Sequence, residues 1–417
     1  MIDEILKENI IDRIFYTSKI KKYLWSPVIK VLIWQRRVGK SYILKGIIKD
    51  LVLNNSIKKE NIFYINKELF DFDYIKNKDD LLDSFNNFKK NKIGKIFIAI
   101  DEIQEIEEWE KFVNGLLAQY WENVEIFITG SNSFMLSWEL ATYISWRYME
   151  FHIHSLTFDE FLIFKKDTEK TKDSFIEYLK YWWLPGIFRM EWSEETIFNY
   201  LRWVYNTIIL KDIINYNNIK NTSFFEELYK YTLSNIWNIF SAKSISDYLK
   251  SQKIRISVDS VINYLKYAQE TFLLNKVYSV DPTSKKFFEI YNKYYIWDLW
   301  LRNSLVGFNL SKDISKLLEN YVFLVLKKYW FDVKIWRLKS NKEIDFIWEK
   351  NWKMIYLQVS TTILDENTRQ REYASFYEIN DNWPKYVITF DDIDFWEKDG
   401  IKHINIIDFE NYIQNFF

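Results

Sequence analysis

Residues 34–41, Trp-Gln-Arg-Arg-Val-Gly-Lys-Ser, match a phosphate-binding loop at every fixed position except the first. In the pattern G-x-x-x-x-G-K-[ST], glycines let backbone N–H groups surround phosphates, the lysine contacts the β- and γ-phosphates and the hydroxyl binds Mg²⁺. Gly39, Lys40 and Ser41 follow an apolar run at 28–33, which predicts a buried strand. The segment therefore predicts a parallel α/β core, with Trp34 at the place of the first glycine.

Tryptophan also stands at other positions where glycine is expected. The chain has 19 Trp and 8 Gly, whereas an ordinary chain of this length carries about 29 glycines at ~7%. Trp330 follows a helical pattern and precedes a strand pattern, where a left-handed glycine commonly ends a helix. Trp352 follows Asn351 between two strand patterns, where a hairpin favours Asn-Gly. Trp182 and Trp183 precede Leu-Pro-Gly, a turn sequence.

We interpret most of these tryptophans as glycines in the living protein. The coding sequence would come from a bacterium that reads UGA as glycine and would have been translated with UGA as tryptophan. A bulky residue at positive φ costs about 1–2 kcal/mol at each position. Trp109 and Trp383 read as genuine tryptophans. The alternative is a chain that is truly rich in tryptophan, and a literal indole at position 34 would let the loop close only poorly around phosphate.

The overall composition excludes several classes of protein. With 57 Lys+Arg against 58 Asp+Glu the net charge is −1, so no global charge directs the chain to nucleic acid or to a membrane. The absence of cysteine excludes disulfides and thiolate sites and suits a reducing compartment. No apolar run reaches the ~20 residues that cross a bilayer. We expect a cytoplasmic protein, with His152, His154 and His403 as structural residues.

Short β-rich runs alternate with amphipathic stretches between 28 and about 155, which predicts an α/β fold with a parallel sheet covered by helices. We expect a P-loop NTPase core at 1–165, a helical region at 166–240, a winged-helix-like region at 241–310 and a nuclease-like αβββ domain at 311–417. Helices are predicted at 40–52, 79–90, 109–120 and 134–143, and two more, at 241–250 and 258–277, form a helix-turn-helix before a wing hairpin. The predicted strands of the core are 28–33, 61–65, 95–100, 124–129 and 149–153.

Two acids and a polar residue complete the predicted chemistry of the core. Asp101 and Glu102 follow the buried run at 96–100. We assign Asp101, with Ser41, to the Mg²⁺ shell, and Glu102 to orienting and deprotonating the attacking water. Asn132, or Ser131, follows the next strand and is placed to align the same water.

The chain resembles AAA+-type P-loop ATPases of bacteria and archaea that carry a C-terminal restriction-endonuclease-like domain of unknown function. The resembling stretches are RRVGKS (36–41), IDEIQ (100–104), WEKFV (109–113), ITGSNS (128–133), SWELATYISWRY (137–148), LPGIFR (184–189), YNTIILKDI (205–213) and KYYIWDLWLRN (293–303).

This resemblance implies bound ATP and Mg²⁺ and the site residues given above. It also implies a candidate γ-phosphate sensor, Arg147, for which a role as a helix cap or a surface ion-pair partner is an equal alternative. Family members have glycine where this chain has Trp34, Trp138, Trp146, Trp203 and Trp300. The predicted nucleotide-binding residues are Trp34, Gln35, Arg36, Arg37, Val38, Gly39, Lys40, Ser41 and Tyr42.

The C-terminal region has the element order of a PD-(D/E)xK nuclease but not its full set of residues. Glu319 and Asp345 stand for the helix and strand acids, and Gln358 takes the place of the second strand acid. Ser360 takes the place of the lysine, whose work a serine cannot do. We expect a fold without cleavage activity, which could still bind DNA or a protein partner. The basic excess of the helix-turn-helix segment 241–278 is a weak indication of DNA binding, and a solvated surface without a partner is the commoner explanation of such an excess.

Together these features predict an ATP-hydrolysing switch protein of undetermined oligomeric state. One rival is a DNA-binding module in which nucleotide only sets the conformation. A second rival is a Mg²⁺-dependent nuclease controlled by ATP.

Overall fold

The computed structural model describes residues 1–131, 147–181, 183–208, 213–214, 217, 219, 221–236, 238–254, 256–280, 287–338, 340, 342–350, 353–392 and 397–415. The helices within these ranges are α1 Ile2–Lys7, α2 Ile14–Lys21, α3 Lys40–Leu53, α4 Lys78–Lys89, α5 Trp109–Tyr120, α6 Phe158–Lys165, α7 Lys172–Tyr181, α8 Glu194–Thr207, α9 Thr222–Ser234, α10 Ala242–Ser251, α11 Val258–Glu270, α12 Leu299–Val306, α13 Leu310–Lys328, α14 Glu366–Ala374 and α15 Phe409–Asn415.

The strands form two sheets. Their bounds are β1 Ile29–Ile33, β2 Ile62–Asn66, β3 Ile96–Asp101, β4 Val124–Gly130, β5 Tyr148–His152, β6 Ile239–Phe240, β7 Leu274–Val280, β8 Phe287–Ile296, β9 Asp332–Arg337, β10 Glu343–Lys350, β11 Lys353–Val359, β12 Lys385–Thr389, β13 Glu397–Lys398 and β14 Ile401–Asn405.

The first sheet has five parallel strands in the order β2-β3-β4-β1-β5. Every residue of β1, β2, β3 and β4 is buried, as expected for a parallel sheet with helices on both faces. The predicted core strands are confirmed to within one residue. Because the strands are parallel, the carboxyl ends of β1, β3 and β4 meet at one edge, and the loop at 34–39 leaves from that edge. The helix predicted at 134–143 lies outside the described residues.

The second sheet has nine strands in the order β13-β14-β12-β11-β10-β9-β7-β8-β6. The β7–β8 hairpin is antiparallel, as expected for the predicted wing, and β7 pairs with β9 at Ser279–Ile335 and Val280–Trp336. The sheet thus continues across the boundary expected at 310/311.

The helix predicted over 258–277 is shorter in the structure. It ends at Glu270, Phe272 has a positive φ of 55°, and β7 begins at Leu274. The helical periodicity of the sequence is overridden there, because Leu274 to Tyr278 gain backbone hydrogen bonds by pairing with β8.

Among the described residues, no helix is both long enough and apolar enough to span a membrane.

Candidate active site

The loop between β1 and α3 leads from the carboxyl end of a buried strand to the N-terminus of a helix. Gly39, the N-cap of α3, has φ 99°, a conformation that favours glycine. Arg37 is also left-handed, with φ 69°, whereas position 34 is not among the positive-φ residues. Trp34 is therefore not strained at its backbone, and the non-glycine residue of the loop with a positive φ is Arg37, two residues before Gly39.

The side chain of Lys40 is folded onto its own loop. Its ammonium donates hydrogen bonds to the carbonyl oxygens of Trp34 and Gln35, both at 2.9 Å. It also lies 3.9 Å from Oε1 of Glu102, and both residues are buried. Lys40 is thus a positive charge at the first turn of α3, where a helix N-terminus already favours anions.

Asp101 lies at the end of β3, next to the start of α3. Its carboxylate accepts hydrogen bonds from the hydroxyls of Thr129 and Ser41. Burial raises the pKa of Asp101, and these two hydrogen bonds oppose that effect. The carboxylate of Asp101 and the hydroxyl of Ser41 are oxygen ligands of the kind that Mg²⁺ prefers, so the residues predicted to hold the ion are together.

Glu102 is held in a strained conformation with φ 55°. Its backbone N–H donates to Oγ1 of Thr129 at 3.0 Å, and its carboxylate lies 3.8 Å from Nη1 of Arg36. Burial alone would raise the pKa of Glu102, but the charges of Lys40 and Arg36 and a hydrogen bond from Gln104 bring it below the ordinary value. Glu102 is therefore ionised at neutral pH and can accept a proton.

A cavity of about 840 Å³ opens beside these residues. The loop and the first turns of α3 form one wall, residues 9–13 form another, and residues 185–190 approach from outside the five-stranded sheet. Tyr42 lines the cavity, and the guanidinium of Arg189 lies 4.5 Å from the centre of its ring and donates to its hydroxyl. The cavity is of the size usual for ligand sites, which range from about 300 to 1,000 Å³.

The indole of Trp34 is directed away from this cavity. It is buried and stacks on the rings of His154 and Phe272, each with a centroid distance of 4.2 Å. The neighbouring amide of Gln35 donates to the carbonyl of Phe272. The side chain of Trp34 therefore packs against His154 and Phe272 and not into the cavity, and the expectation that an indole here lets the loop close only poorly around phosphate stays a prediction.

Arg147 is apart from the other predicted site residues. Its carbonyl accepts a hydrogen bond from Ile29 N at the start of β1, and β5 is parallel to β1. Arg147 thus lies at the amino edge of the sheet, and β1 separates it from the loop by roughly 16 Å at ~3.3 Å per residue. The predicted γ-phosphate contact is not made within one chain in this arrangement. Asn132, the other predicted catalytic residue, lies outside the described residues.

Arg13 contacts the site but was not predicted from the sequence. Its guanidinium binds both carboxylate oxygens of Glu160, at 2.9 and 2.7 Å. It also donates to the carbonyls of Val38 at 3.0 Å, His154 at 2.8 Å and Ser155 at 3.2 Å. One buried arginine therefore joins the N-terminal segment, the phosphate-binding loop and α6. No local sequence pattern marks such a residue, because its partners are up to 147 positions away.

The chain is similar to several known proteins. Residues 27–162 match the family described as AAA domain, and residues 172–312 match a domain of unknown function (DUF8612). An uncharacterized protein of Haemophilus influenzae is 32% identical over 407 residues, covering 97% of this chain and 99% of the relative. An uncharacterized protein of Methanocaldococcus jannaschii is 28% identical over 450 residues, covering 99% and 94%. A Walker-type ATPase of Pyrococcus abyssi has a TM-score of 0.49 and 14% identity, covering 71% of this chain and 96% of that chain.

Proposed function

We propose that this chain, which belongs to the same family as the uncharacterized protein of Haemophilus influenzae and whose residues 27–162 match an AAA domain, binds Mg·ATP and hydrolyses it to drive a conformational switch. The observation that carries the proposal is the meeting of Lys40, Ser41, Asp101 and Glu102 at the carboxyl edge of a parallel sheet, beside a cavity of about 840 Å³.

Each of these residues has a distinct part in the proposed reaction. Lys40 exchanges the carbonyls of Trp34 and Gln35 for phosphate oxygens, and backbone N–H groups of the loop bind the rest of the phosphate chain. Ser41 and Asp101 hold Mg²⁺, which neutralises phosphate charge when it is bound. Glu102 takes a proton from the attacking water, since its carboxylate is ionised and faces the lysine.

Steady-state release of phosphate by the full chain, measured against Mg²⁺ and ATP concentration, tests this function. Saturable, Mg²⁺-dependent turnover is the expected result. Tight ATP binding without phosphate release would instead favour the rival function, in which nucleotide only sets the conformation of a DNA-binding module.

We further propose that most of the tryptophans are glycines in the protein made by its own organism. Trp330, at the predicted helix end, has φ 67°, and Trp25 has φ 61°. The indole N–H groups of Trp34, Trp183 and Trp300 are buried without a hydrogen-bond acceptor among the described residues. A buried donor without an acceptor costs about 1–3 kcal/mol. Trp352, which was assigned to a hairpin turn, lies outside the described residues.

The intact mass of the protein purified from its native host distinguishes the two alternatives. We expect a mass lower than that of the printed sequence by a whole number of Trp-to-Gly differences, with tryptic peptides that place glycine at position 34. A mass that fits all 19 tryptophans would reject the recoding hypothesis and leave Trp34 as a packed core residue.

For the C-terminal region we propose a nuclease-like fold without cleavage activity, and the support is a lysine from the hairpin. The ammonium of Lys293 on β8 lies 3.1 Å from Oε1 of Glu319, 3.3 Å from Oε2 of Glu343 and 3.7 Å from Oδ1 of Asp345. Burial lowers the pKa of Lys293, but the three carboxylates more than reverse this, so the amine stays protonated. It therefore acts as a fixed cation among the acids and not as a base.

The other residues of this cluster also have protein partners. Gln358 donates to Glu372 at 3.1 Å, and the Ser360 hydroxyl donates to the carbonyl of Thr362 at 3.1 Å. Burial, followed by the charge of Glu319, raises the pKa of Asp345 well above its ordinary value. Such a set of ion pairs supports a role in joining the hairpin to the C-terminal region.

Replacing Lys293 with methionine should therefore destabilise the protein. We expect a loss of about 2–3 kcal/mol of unfolding free energy at pH 7.5, less than the 3–5 typical of breaking a fully buried ion pair, since Glu343 is 27% exposed. The variant should lose less at pH 5, because the raised pKa of Asp345 lets the folded state bind a proton and gain stability as the pH falls.

Urea unfolding at both pH values measures this effect. Lys312, exposed on α13, gives the control Lys312→Met, for which no change is expected. If Lys293→Met unfolds at the same urea concentration as the parent, or if the variant gains Mg²⁺-dependent plasmid cleavage, the proposed role of the cluster is rejected.

A further inference from the structure

The side chain of Glu102 contacts two charged residues of the phosphate-binding loop and one uncharged residue outside it. Nucleotide binding affects the charged residues directly but not the uncharged one. Lys40 and Arg36 are charged residues of the phosphate-binding loop, at 3.9 and 3.8 Å from the carboxylate. Both are available to the phosphates once a nucleotide enters the cavity, which they line. Gln104 is uncharged and lies outside the loop, on the turn that follows Glu102, so its contact with Glu102 does not depend on the phosphates.

The amide of Gln104 is hydrogen-bonded to the Glu102 side chain. Its Nε2 donates to Oε2 of Glu102 at 2.5 Å and also lies 3.3 Å from Oγ of Ser131. Ser131 follows β4, the neighbour of β3 in the sheet, and its hydroxyl also bonds to Glu102. The amide of Gln104 therefore links Glu102, which follows β3, to Ser131, which follows the adjacent strand β4.

The geometry leaves the two oxygens of Glu102 in different surroundings. Oε2 faces Gln104 and Arg36, whereas Oε1 faces Lys40 on the side of the phosphate-binding loop. A hydrogen bond to one oxygen of a carboxylate fixes the rotation of the group, and thereby the direction of the other oxygen. Misplacement of a reacting group by ~1 Å costs up to about 100-fold in rate.

We propose that Gln104 is a positioning residue for ATP hydrolysis, which holds Oε2 of Glu102 so that Oε1 is directed at the attacking water. The inference rests on the proposed ATPase function. Gln104 ends the segment 100–104, and the sequence alone indicated no role for it in the reaction. The water oxygen forms a bond to the γ-phosphorus as the bond from that phosphorus to ADP breaks. The proton of the water moves to Oε1 of Glu102, and Gln104 neither gains nor loses one.

The test compares three substitutions in the full chain, with the residue at position 34 that the mass measurement establishes. Gln104→Met keeps the length of the side chain but removes the donor, and we expect kcat to fall by roughly 10- to 100-fold with the KM for ATP unchanged to within about twofold. Gln104→Glu places a carboxylate, which cannot donate, beside Glu102, and we expect kcat to fall at least as far as in Gln104→Met. Gln119→Met, at an exposed position on α5, is the matched control and should behave as the parent.

Each outcome has one meaning. A parent that binds ATP but does not hydrolyse it rejects the proposed function, and the role of Gln104 with it. An active parent with equally active Gln104 variants rejects the role of Gln104 alone. A change in KM without a change in kcat also rejects it, because a positioning residue acts on the chemical step.

The double variant Gln104→Met with Glu102→Gln separates positioning from a general loss of structure. It should be no slower than Glu102→Gln alone, since two residues that act as a unit are not additive. A further loss in the double variant would mean that Gln104 acts independently of Glu102. Binding of ATP by Gln104→Met, measured by calorimetry, establishes that the variant is folded, and a variant that cannot bind ATP contradicts the proposal.

Discussion

Replacing Glu102 with glutamine is expected to reduce kcat for ATP hydrolysis by about 100- to 10,000-fold, the range found for general acid–base groups, while ATP still binds. The amide keeps the size of the side chain and its place beside Lys40 and Arg36, but it cannot take a proton from water. The measurement is phosphate release at saturating ATP, together with calorimetric binding of ATP in the presence of Mg²⁺.

Glu105 provides the matched control for this experiment. It lies on the same turn, is exposed, and has no assigned role at the site, so Glu105→Gln should retain the parent rate. Turnover by Glu102→Gln at the parent rate would show that another group activates the water.

Replacing Arg13 with methionine is expected to cost about 3–5 kcal/mol of unfolding free energy, as measured for broken buried ion pairs. The substitution leaves the carboxylate of Glu160 buried without its guanidinium and removes the donor from three carbonyls. It also frees the carbonyl of Val38 in the phosphate-binding loop. We therefore expect weaker ATP binding in whatever fraction of the variant remains folded.

The pH dependence of the Arg13 variant provides a second measurement. Burial would raise the pKa of Glu160, but Arg13 brings it below the ordinary value. The Arg13–Glu160 pair therefore stabilises the parent at pH values above the pKa that Glu160 has in the unfolded chain. This stabilisation is lost as the pH falls through the lower pKa that Glu160 has in the folded protein. The difference between parent and variant should shrink in acid, where Glu160 can be protonated.

Arg202, an exposed arginine on α8, supplies the control Arg202→Met, which should unfold with the parent. Urea unfolding at neutral and acidic pH makes the comparison. An Arg13→Met protein as stable as this control would mean that the guanidinium does not hold the N-terminal segment to the loop.

The core strands and the phosphate-binding loop could be predicted from sequence because their signals are local. Continuous apolar runs identify β1 and β3, and the Gly-Lys-Ser sequence identifies the start of α3. The acids at 101 and 102 follow directly from the end of β3. Parallel pairing then brings them to the loop without any further information.

The residues that the sequence did not reveal act over long distances along the chain. Arg13 and Glu160, which lie in no recognised motif, form one such pair, and Lys293 forms another with Asp345, an acid that the sequence did identify but whose lysine partner it did not. The direction of the Trp34 side chain depends on Phe272, a residue far along the chain. The position of Arg147 could not be predicted because the sequence does not show at which edge of the sheet the start of β5 lies.

The ion pairs of Lys293 have a consequence for how the site is connected to the rest of the chain. The hairpin starts just after Phe272, which touches the phosphate-binding loop, and among the described residues β7 pairs with β9 at Ser279–Ile335 and Val280–Trp336. Lys293, on the second strand of the hairpin, reaches the acids of α13 and β10. Its ion pairs therefore connect the C-terminal acids to the same hairpin whose start contacts the phosphate-binding loop, so a change at one end can be felt at the other.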